Sequence, residues 1–179
     1  MIAVKKGYES LSGLEKEYAY WVNRMRQNPG KFGTEYIKPF LSQFPEAVSE
    51  ESRSLMKEIA ILPSLQILYP VSNINIAAAN HAEYLATIGR ISHDGRNGST
   101  FQTRMKDAGV KICAGEVIFD GKEDILMGLI LLLIDHGVPG LGHRKALLNP
   151  DFGQTGIAIR YTREKRAILV QDLACPQAP

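Results

Sequence analysis

Three residues in the second half of the chain are of the types that bind metals or transfer protons. His93 begins a glycine-rich segment, Glu116 lies in the sequence Ala-Gly-Glu, and His143 lies in Gly-His-Arg. Imidazole and carboxylate groups are the ligands that zinc and related divalent ions bind. Their separations of 23 and 27 residues differ from the short helical spacing of the metalloprotease motif. The spacing therefore leaves open either a joint site or three separate helix caps and loop hydrogen bonds.

Other polar residues near these positions have a structural explanation. His81 lies on the apolar face of an expected helix, where we expect it to bond a backbone carbonyl, and His136 lies in a loop that we expect to be exposed. Asp135 ends an apolar helix and is expected to pair with Arg144 or to orient a histidine. Arg104 is expected to pair with a loop carboxylate. None of these residues needs a catalytic role.

The common nucleophile and nucleotide motifs do not occur in the sequence. There is no GxSxG, no P-loop and no GxGxxG, so the sequence does not indicate a serine hydrolase, an NTPase or a dinucleotide enzyme. Cys113 lies three residues before Glu116, but its neighbours Ile112 and Ala114 indicate a strand interior. A Cys–His nucleophile is possible in principle, but the helix N-terminus that lowers the pKa of a reactive thiol is not evident beside Cys113.

Composition narrows the class of protein further. The 179 residues include 21 basic and 19 acidic ones, for a formal charge of +2, and this balance argues against a nucleic-acid partner. Two cysteines, Cys113 and Cys175, are too few for a zinc ribbon or a disulfide-rich miniprotein. Hydrophobic residues make up 45% and charged residues 22%, as in ordinary globular domains. We expect a tail over residues 1–12 and one domain over residues 13–179.

The sequence shows neither a signal peptide nor a transmembrane segment. The opening MIAVKKGYESLSG has no apolar run after its lysines, so the protein is either cytosolic or has had a leader removed. The most apolar run, ILMGLILLLI at residues 125–134, covers only about half of a bilayer. We therefore expect it to form a buried helix.

Periodicity and turn residues place the helices early in the chain and the better strands late. Helices are expected over residues 12–28, 31–37 (ended by Pro39), 46–61, 73–89, 100–108, 123–134 and 143–148. Strands are expected over residues 110–113, 155–161 and 167–173, the last two forming an antiparallel hairpin. This order favours an α+β fold.

Several segments resemble one family when they are taken together and in order. These are ISHDGRNGSTFQTRMKDAG at 91–109, AGEVIFDG at 114–121 and GHRKALLNPDFGQTGIAI at 142–159, preceded by NINIAAANHAEYLATIG at 73–89 and EYAYWVNRMRQNPGKF at 17–32. They resemble the CAP superfamily, named after cysteine-rich secretory proteins, antigen 5 and pathogenesis-related 1 proteins. The resemblance covers about residues 14 to 175.

The resemblance implies a three-layer α-β-α sandwich with a central antiparallel sheet. It also implies a cleft lined by two histidines and two acidic residues, which holds a divalent metal such as Zn²⁺ in some members. His93, Glu116 and His143 match three of these positions in the motifs. Val117 stands where the family has asparagine.

The family's second glutamate has no clean counterpart in this sequence. Asp135 and His136 are the polar residues nearest to its place, so Asp135 joins the expected cleft. Three ligands would bind a metal more weakly than four. Cys113 and Cys175 form a disulfide if their segments pair in one sheet, and otherwise remain two free thiols.

The function implied by the resemblance is a secreted or envelope-associated, extracellular or periplasmic protein. It is expected to be monomeric and non-catalytic, and to bind a divalent metal, a small apolar ligand such as a lipid or sterol, or a protein partner. The alternatives are a metal-dependent, peptidase-like hydrolase that uses His93 and His143 with Glu116 as base, and a purely structural surface module.

Overall fold

The computed structural model describes residues 2–111, 113–121 and 124–176. The helices are α1 (Ile2–Glu9), α2 (Gly13–Gln27), α3 (Pro29–Phe32), α4 (Lys38–Gln43), α5 (Glu50–Ile61), α6 (Ser72–Ile88), α7 (Phe101–Asp107), α8 (Ile125–Ile134) and α9 (Gly142–Leu147). The strands are β1 (Tyr69–Pro70), β2 (Ala114–Gly121), β3 (Gln154–Tyr161) and β4 (Ala167–Ala174). A π-helical turn spans Gly33–Ile37, and short 3₁₀ turns span Pro45–Ala47 and Arg96–Gly98.

The four strands form one sheet in the order β1-β3-β4-β2. β4 is the central partner, because it pairs antiparallel with β2 on one side and with β3 on the other. The expected hairpin of the last two strands is confirmed. β1 adds a short parallel pairing with β3, through Tyr69 and Pro70. The mixed α and β composition and the mainly antiparallel sheet agree with the expected fold class.

The two faces of the sheet carry separate hydrophobic cores, as the period of two along a strand requires. One face packs against α6, and its core is formed by Ala78, Ala82, Leu85, Ala86, Ile118, Ala158, Ile168 and Val170. The opposite face packs against the layer that contains α2, α5 and α8, and its core includes Tyr18, Val22, Leu55, Val117, Leu129, Leu133, Ile157, Ile159 and Leu169. The sheet is therefore the middle layer of an α-β-α sandwich.

The small residues of α6 let this helix approach the sheet closely. Gly156 of β3 lies directly beneath it, and a Cβ atom at that position would overlap the backbone carbonyl of Ile74. Gly89 ends α6 in the left-handed conformation (φ +69°), which glycine adopts at the lowest cost. Both boundaries of this helix agree with the sequence prediction within one residue.

The segment expected to be a tail, residues 1–12, contains a helix. Residues 2–9 form α1, the carbonyl of Gly7 accepts a 2.7 Å hydrogen bond from the Asn75 amide, and Leu11 is buried. A Cβ atom at Gly7 would meet the backbone carbonyl of Pro70. The segment is too short to show an apolar stripe, and it packs through its backbone, which hydropathy does not report.

Pro39 does not end the helical segment that precedes it. α3, the π turn and α4 follow one another without a break, and the Lys38 N–H bonds the Gly33 carbonyl five residues earlier. The wider π turn continues the helical backbone up to proline, which has no N–H to donate.

The expected strand over residues 110–113 includes Ile112, which lies outside the described residues. The observed strand β2 begins at Ala114, so Glu116 is its third residue and lies near the start of the strand. Among the described helices none has the length and hydropathy needed to cross a membrane. The apolar run forms α8, which has ten residues and is mostly buried.

Candidate functional site

Glu116 is the centre of a charged cluster at the start of β2. Its side chain is only 2% exposed, and both of its oxygens are occupied. The His93 ring donates from Nδ1 to Oε1 at 2.7 Å, and Arg104 donates from Nη2 to Oε2 at 2.6 Å. Hydrogen bonds between charged groups of this kind are the strong ones in proteins. Glu116 and His93 were both predicted to line the expected cleft, and in the structure their side chains are in direct contact.

Arg104 holds the glycine-rich loop against β2. It lies on α7, which is capped by the Thr100 side chain, and its Nη1 also donates to the His93 backbone carbonyl at 3.0 Å. The expected partner of Arg104 was a loop carboxylate, whereas the observed partner is the strand residue Glu116. One arginine thus fixes both the carboxylate and the backbone of the histidine that contacts it.

His81 lies on α6 above the same carboxylate. Its Nε2–H donates to the Ser92 carbonyl at 2.9 Å, as the sequence analysis expected, and this nitrogen is 3.7 Å from Glu116 Oε2. Burial lowers the pKa of His81, an effect that the charge of Glu116 opposes. The ring is therefore held neutral with its proton on Nε2, and Nδ1 is buried without a hydrogen-bond partner among the described residues.

The pKa values of Glu116 and His93 shift in opposite directions, downward for the carboxyl group and upward for the imidazole. Burial on its own raises the pKa of Glu116, but the hydrogen bond from His93 and the charge of Arg104 outweigh it, so the net shift is downward. The hydrogen bond to Glu116 raises the pKa of His93, against a smaller opposing effect of burial. Glu116 is therefore a stabilised carboxylate and a weak base.

Asp172 is a member of the cluster that the sequence analysis missed. It lies directly opposite Glu116 in the pairing of β2 with β4 and is completely buried. No donor among the described residues faces either of its carboxyl oxygens, and its carboxyl group lies within hydrogen-bonding reach of Glu116. Burial raises the pKa of Asp172 well above its usual value, and the charge of Glu116 raises it further while Arg104 lowers it. The available signal was a Gln-Asp pair inside the otherwise apolar strand AILVQDLA.

His143 and Asp135 form a second histidine–carboxylate pair. His143 donates from Nδ1 to Asp135 Oδ1 at 2.7 Å, and the other carboxylate oxygen accepts the backbone N–H groups of His143 and Arg144. Asp135 thus orients the histidine and satisfies the first turn of α9. In the part of the chain that the structure describes, no hydrogen bond or ion pair joins this pair to His93 or Glu116.

The expected metal ligands do not form a ready three-residue set. Among the described residues, no group of three or more His, Cys, Asp and Glu side chains is placed to hold a metal ion. Glu116 fits poorly as a direct ligand because His93 and Arg104 occupy its oxygens. Each of His93 and His143 binds a carboxylate through Nδ1, which is the arrangement that orients a metal-binding imidazole in known sites. Zinc binding stays a prediction.

His136 lies apart from both pairs. Its side chain is 72% exposed, as expected for a loop residue, and its Nδ1 contacts Glu51 Oε2 at 3.0 Å. It therefore does not supply the missing acidic position of the expected cleft.

Cys113 and Cys175 form a disulfide in the structure, with their Cα atoms 5.5 Å apart. The bridge adjoins the first β2–β4 residue pair, Ala114 with Ala174. It closes this end of the β2–β4 pairing three residues before Glu116, and so helps to fix the start of β2.

An apolar groove lies on the helical layer away from the charged cluster. Its volume is about 490 Å³, and its walls are formed by Phe40 and Phe44 from the α4 region and by Met127, Leu131 and Ile134 from α8. The two phenylalanine rings are 4.9 Å apart, and Leu131 is 39% exposed. Glu46 and His136 supply polar groups at this groove. A cavity of this size lies in the range of about 300–1,000 Å³ typical of small-molecule sites.

Comparison with known proteins gives a family match and three similar structures. The model of a family described as the cysteine-rich secretory protein family, CAP, matches residues 64–173. No curated protein matches the chain. An outer surface protein of Borrelia burgdorferi is 22% identical with a TM-score of 0.53, over 72% of this chain and 95% of that one.

Two further structures match with lower scores. One is an extracellular protein of Bacillus anthracis containing an SCP domain, 19% identical with a TM-score of 0.47, over 72% of this chain and 44% of that one. The other is the CAP domain of enterococcal PrgA, 14% identical with a TM-score of 0.46, over 96% of this chain and 65% of that one.

Proposed function

Because this chain belongs to the cysteine-rich secretory protein (CAP) family, we propose that it acts outside the cell or in the cell envelope as a non-catalytic domain that binds a small apolar ligand. The extracytoplasmic location is supported by the family and by the disulfide between Cys113 and Cys175, since such bonds persist in oxidising compartments. The ligand class is supported by the groove between the α4 region and α8.

The groove is the observation that carries the proposal. Its lining is mostly aromatic and aliphatic, and Leu131 stays substantially exposed although it belongs to the most apolar helix of the chain. An exposed apolar surface of this kind is costly in water unless a ligand or partner covers it. The Glu46 carboxylate and the His136 ring at the groove suit a ligand with one uncharged polar end, such as a sterol, because Glu46 would repel an anionic end.

The non-catalytic role is supported by the state of Glu116. A general base must be free to accept a proton, but this carboxylate already accepts hydrogen bonds from His93 and Arg104, and its pKa is lowered. A hydrolase would also need a nucleophile or an activated water beside it. The charged cluster is better explained as the device that holds α6, α7 and β2 together.

The test is a binding titration with a fluorescent sterol, with a fluorescent fatty acid as a second probe. We expect saturable binding of the sterol to the oxidised chain, and at least tenfold weaker binding by Leu131→Asp. The matched control is Ile61→Asp, which changes an 86% exposed isoleucine at the end of α5, outside the groove lining. Its affinity should equal that of the wild type.

Two results would overturn the proposal. Equal affinities of Leu131→Asp and the wild type would show that the groove is not the binding site. If neither probe bound, a small apolar ligand would be excluded. Hydrolysis of a peptide library that is lost in Glu116→Gln would contradict the non-catalytic role.

A further inference from the structure

A second pocket of different chemistry lies at the junction of α1, α2 and β1. It has a volume of about 250 Å³ and is lined by Tyr8, Ala19, Tyr20, Asn23, Arg24, Gln27 and Pro70. It shares no lining residue with the apolar groove or with the Glu116 cluster. We propose that this pocket binds a single ring of a neutral saccharide.

The pocket presents aromatic rings to solvent. Tyr8 is 48% exposed and Tyr20 is 55% exposed, although both belong to helices that are packed on the fold. Tyr20 is held by an edge-to-face contact with Trp21 at 5.0 Å, and Lys16 lies 5.6 Å from the centre of the Tyr8 ring. These neighbours limit the motion of both rings. The negative faces of aromatic rings attract the partly positive C–H groups that line one side of a pyranose.

The remaining lining supplies hydrogen-bonding groups that the fold does not use. Gln27 is exposed, and within the described residues its amide has no hydrogen-bond partner. Arg24 donates from Nε to Tyr36 and from Nη2 to Glu35, which leaves Nη1 available. Amide and guanidinium groups of this kind match the hydroxyl groups of a sugar. Asn23 is not available in the same way, because it bonds both backbone groups of Leu68.

The balance of these groups selects the ligand class. Arg24 is the one cation in the lining and already pairs with Glu35, so the pocket lacks the clustered charge that a nucleic acid or a polyphosphate requires. The open tyrosines and polar groups do not suit an acyl chain, which the other groove suits better. A volume of about 250 Å³ is below the usual range for larger ligands, so one terminal ring is the expected occupant.

The test is saturation-transfer NMR with three neutral trisaccharides, namely cellotriose, chitotriose and maltotriose. We expect transfer from the protein to the pyranose C–H protons of at least one of them. Tyr20→Ala should weaken binding at least tenfold, and Tyr20→Phe, which keeps the ring, by less than threefold. Gln27→Ala alters an exposed side chain without an internal partner, so it tests the pocket without threatening the fold, and it should weaken binding about threefold or more.

The matched control is Tyr161→Ala, which removes a tyrosine of similar exposure (43%) at the far end of β3. It should bind the saccharide as the wild type does. Absence of transfer to all three trisaccharides would overturn the proposal. It would also be overturned if Tyr20→Ala and Gln27→Ala both bound the saccharide as tightly as the wild type does. Binding of a tyrosine-rich or proline-rich peptide at this pocket, with no saccharide bound, would overturn it as well.

Discussion

Asp172 lies directly opposite Glu116 in the antiparallel pairing of β2 with β4, so two acidic side chains project from neighbouring strands toward α6. Residues paired in this way share a face of the sheet and sit close together. Arg104 and His93 compensate the charge of Glu116, whereas no donor among the described residues faces the Asp172 oxygens. Because two neighbouring carboxylates repel each other, the one with cationic partners should be ionised and the other neutral. Glu116 is therefore the ionised group, and Asp172 favours its neutral form.

The first prediction concerns Asp172→Asn. Because burial raises the pKa of Asp172 in the folded state, the folded protein binds this proton more tightly than the unfolded chain does. Its contribution to stability is therefore complete below the unfolded pKa of about 3.9 and is lost as pH rises through the folded pKa. An asparagine at this position does not ionise, so the variant does not lose this stability as pH rises. We expect Asp172→Asn to be about 1 kcal/mol more stable at pH 7, measured by urea unfolding.

The pH dependence separates this account from improved packing. The advantage of Asp172→Asn should shrink toward zero as pH falls to about 4. A constant difference across pH, or a less stable variant at pH 7, contradicts the buried-acid interpretation.

The second prediction concerns the ion pair of Arg104 with Glu116. Removing one partner of a buried pair leaves an uncompensated charge, so Arg104→Met should cost about 3 kcal/mol or more in free energy of unfolding. The side chains are 10% and 2% exposed, so solvent screens the pair weakly. The double variant Arg104→Met/Glu116→Gln removes both charges and should recover at least half of that loss in urea unfolding. If the double variant lost as much as the sum of the two single ones, the coupling would be absent.

The sequence predicted those elements whose packing repeats along the chain. α6 follows a 3.6-residue apolar pattern with a glycine cap, and the hairpin of β3 and β4 lies within twenty-one residues of chain. Hydropathy did not indicate α1, because this helix makes its contact through the Gly7 backbone. Asp172 and Glu116 are 56 residues apart, and the register that pairs them could not be predicted from the sequence of either strand. Family motifs supplied His93, Glu116 and His143, but only the register of β2 with β4 places Asp172 beside Glu116.

The third prediction separates direct metal ligation from orientation of the histidines. If zinc binds as the family resemblance implies, Nε2 is the ring nitrogen that His93 leaves free, because Nδ1 contacts Glu116. His93→Ala should then abolish zinc binding in calorimetric titration. Glu116→Gln should weaken it by about 10–100-fold, the effect usual for a residue that orients a ligand. Complete loss in Glu116→Gln with folding intact would make Glu116 a ligand, and zinc binding unchanged in His93→Ala would exclude this site.

The fourth prediction concerns the disulfide. Cys113 and Cys175 are 62 residues apart, so the bridge removes considerable freedom from the unfolded chain. Reduction should lower the free energy of unfolding by about 2–4 kcal/mol and lower Tm accordingly. Alkylation should count no free thiols before reduction and two afterwards. The variant Cys113→Ser/Cys175→Ser should be insensitive to reductant, and two thiols in the untreated protein would refute the bridge.

The last prediction concerns Arg26, which is completely buried in α2. Its guanidinium donates to four backbone carbonyls, at 2.7–3.0 Å, and these belong to Gln66, Leu147, Asn149 and Phe152. Burial lowers its pKa to about 10, so it stays charged at neutral pH. One side chain thus joins the first layer of the sandwich to the end of α9 and the start of β3.

Arg26→Met should therefore leave several buried carbonyls without a donor and destabilise the protein by about 3 kcal/mol or more. Arg24→Met is the matched control, because Arg24 lies on the same helix, is 40% exposed and makes surface contacts that contribute little to stability. Urea unfolding of both variants measures the difference. Equal losses of unfolding free energy in the two variants would mean that the four hydrogen bonds of Arg26 stabilise the protein no more than the surface contacts of Arg24 do. A large loss confined to Arg26→Met would confirm that these four buried carbonyls depend on the Arg26 guanidinium.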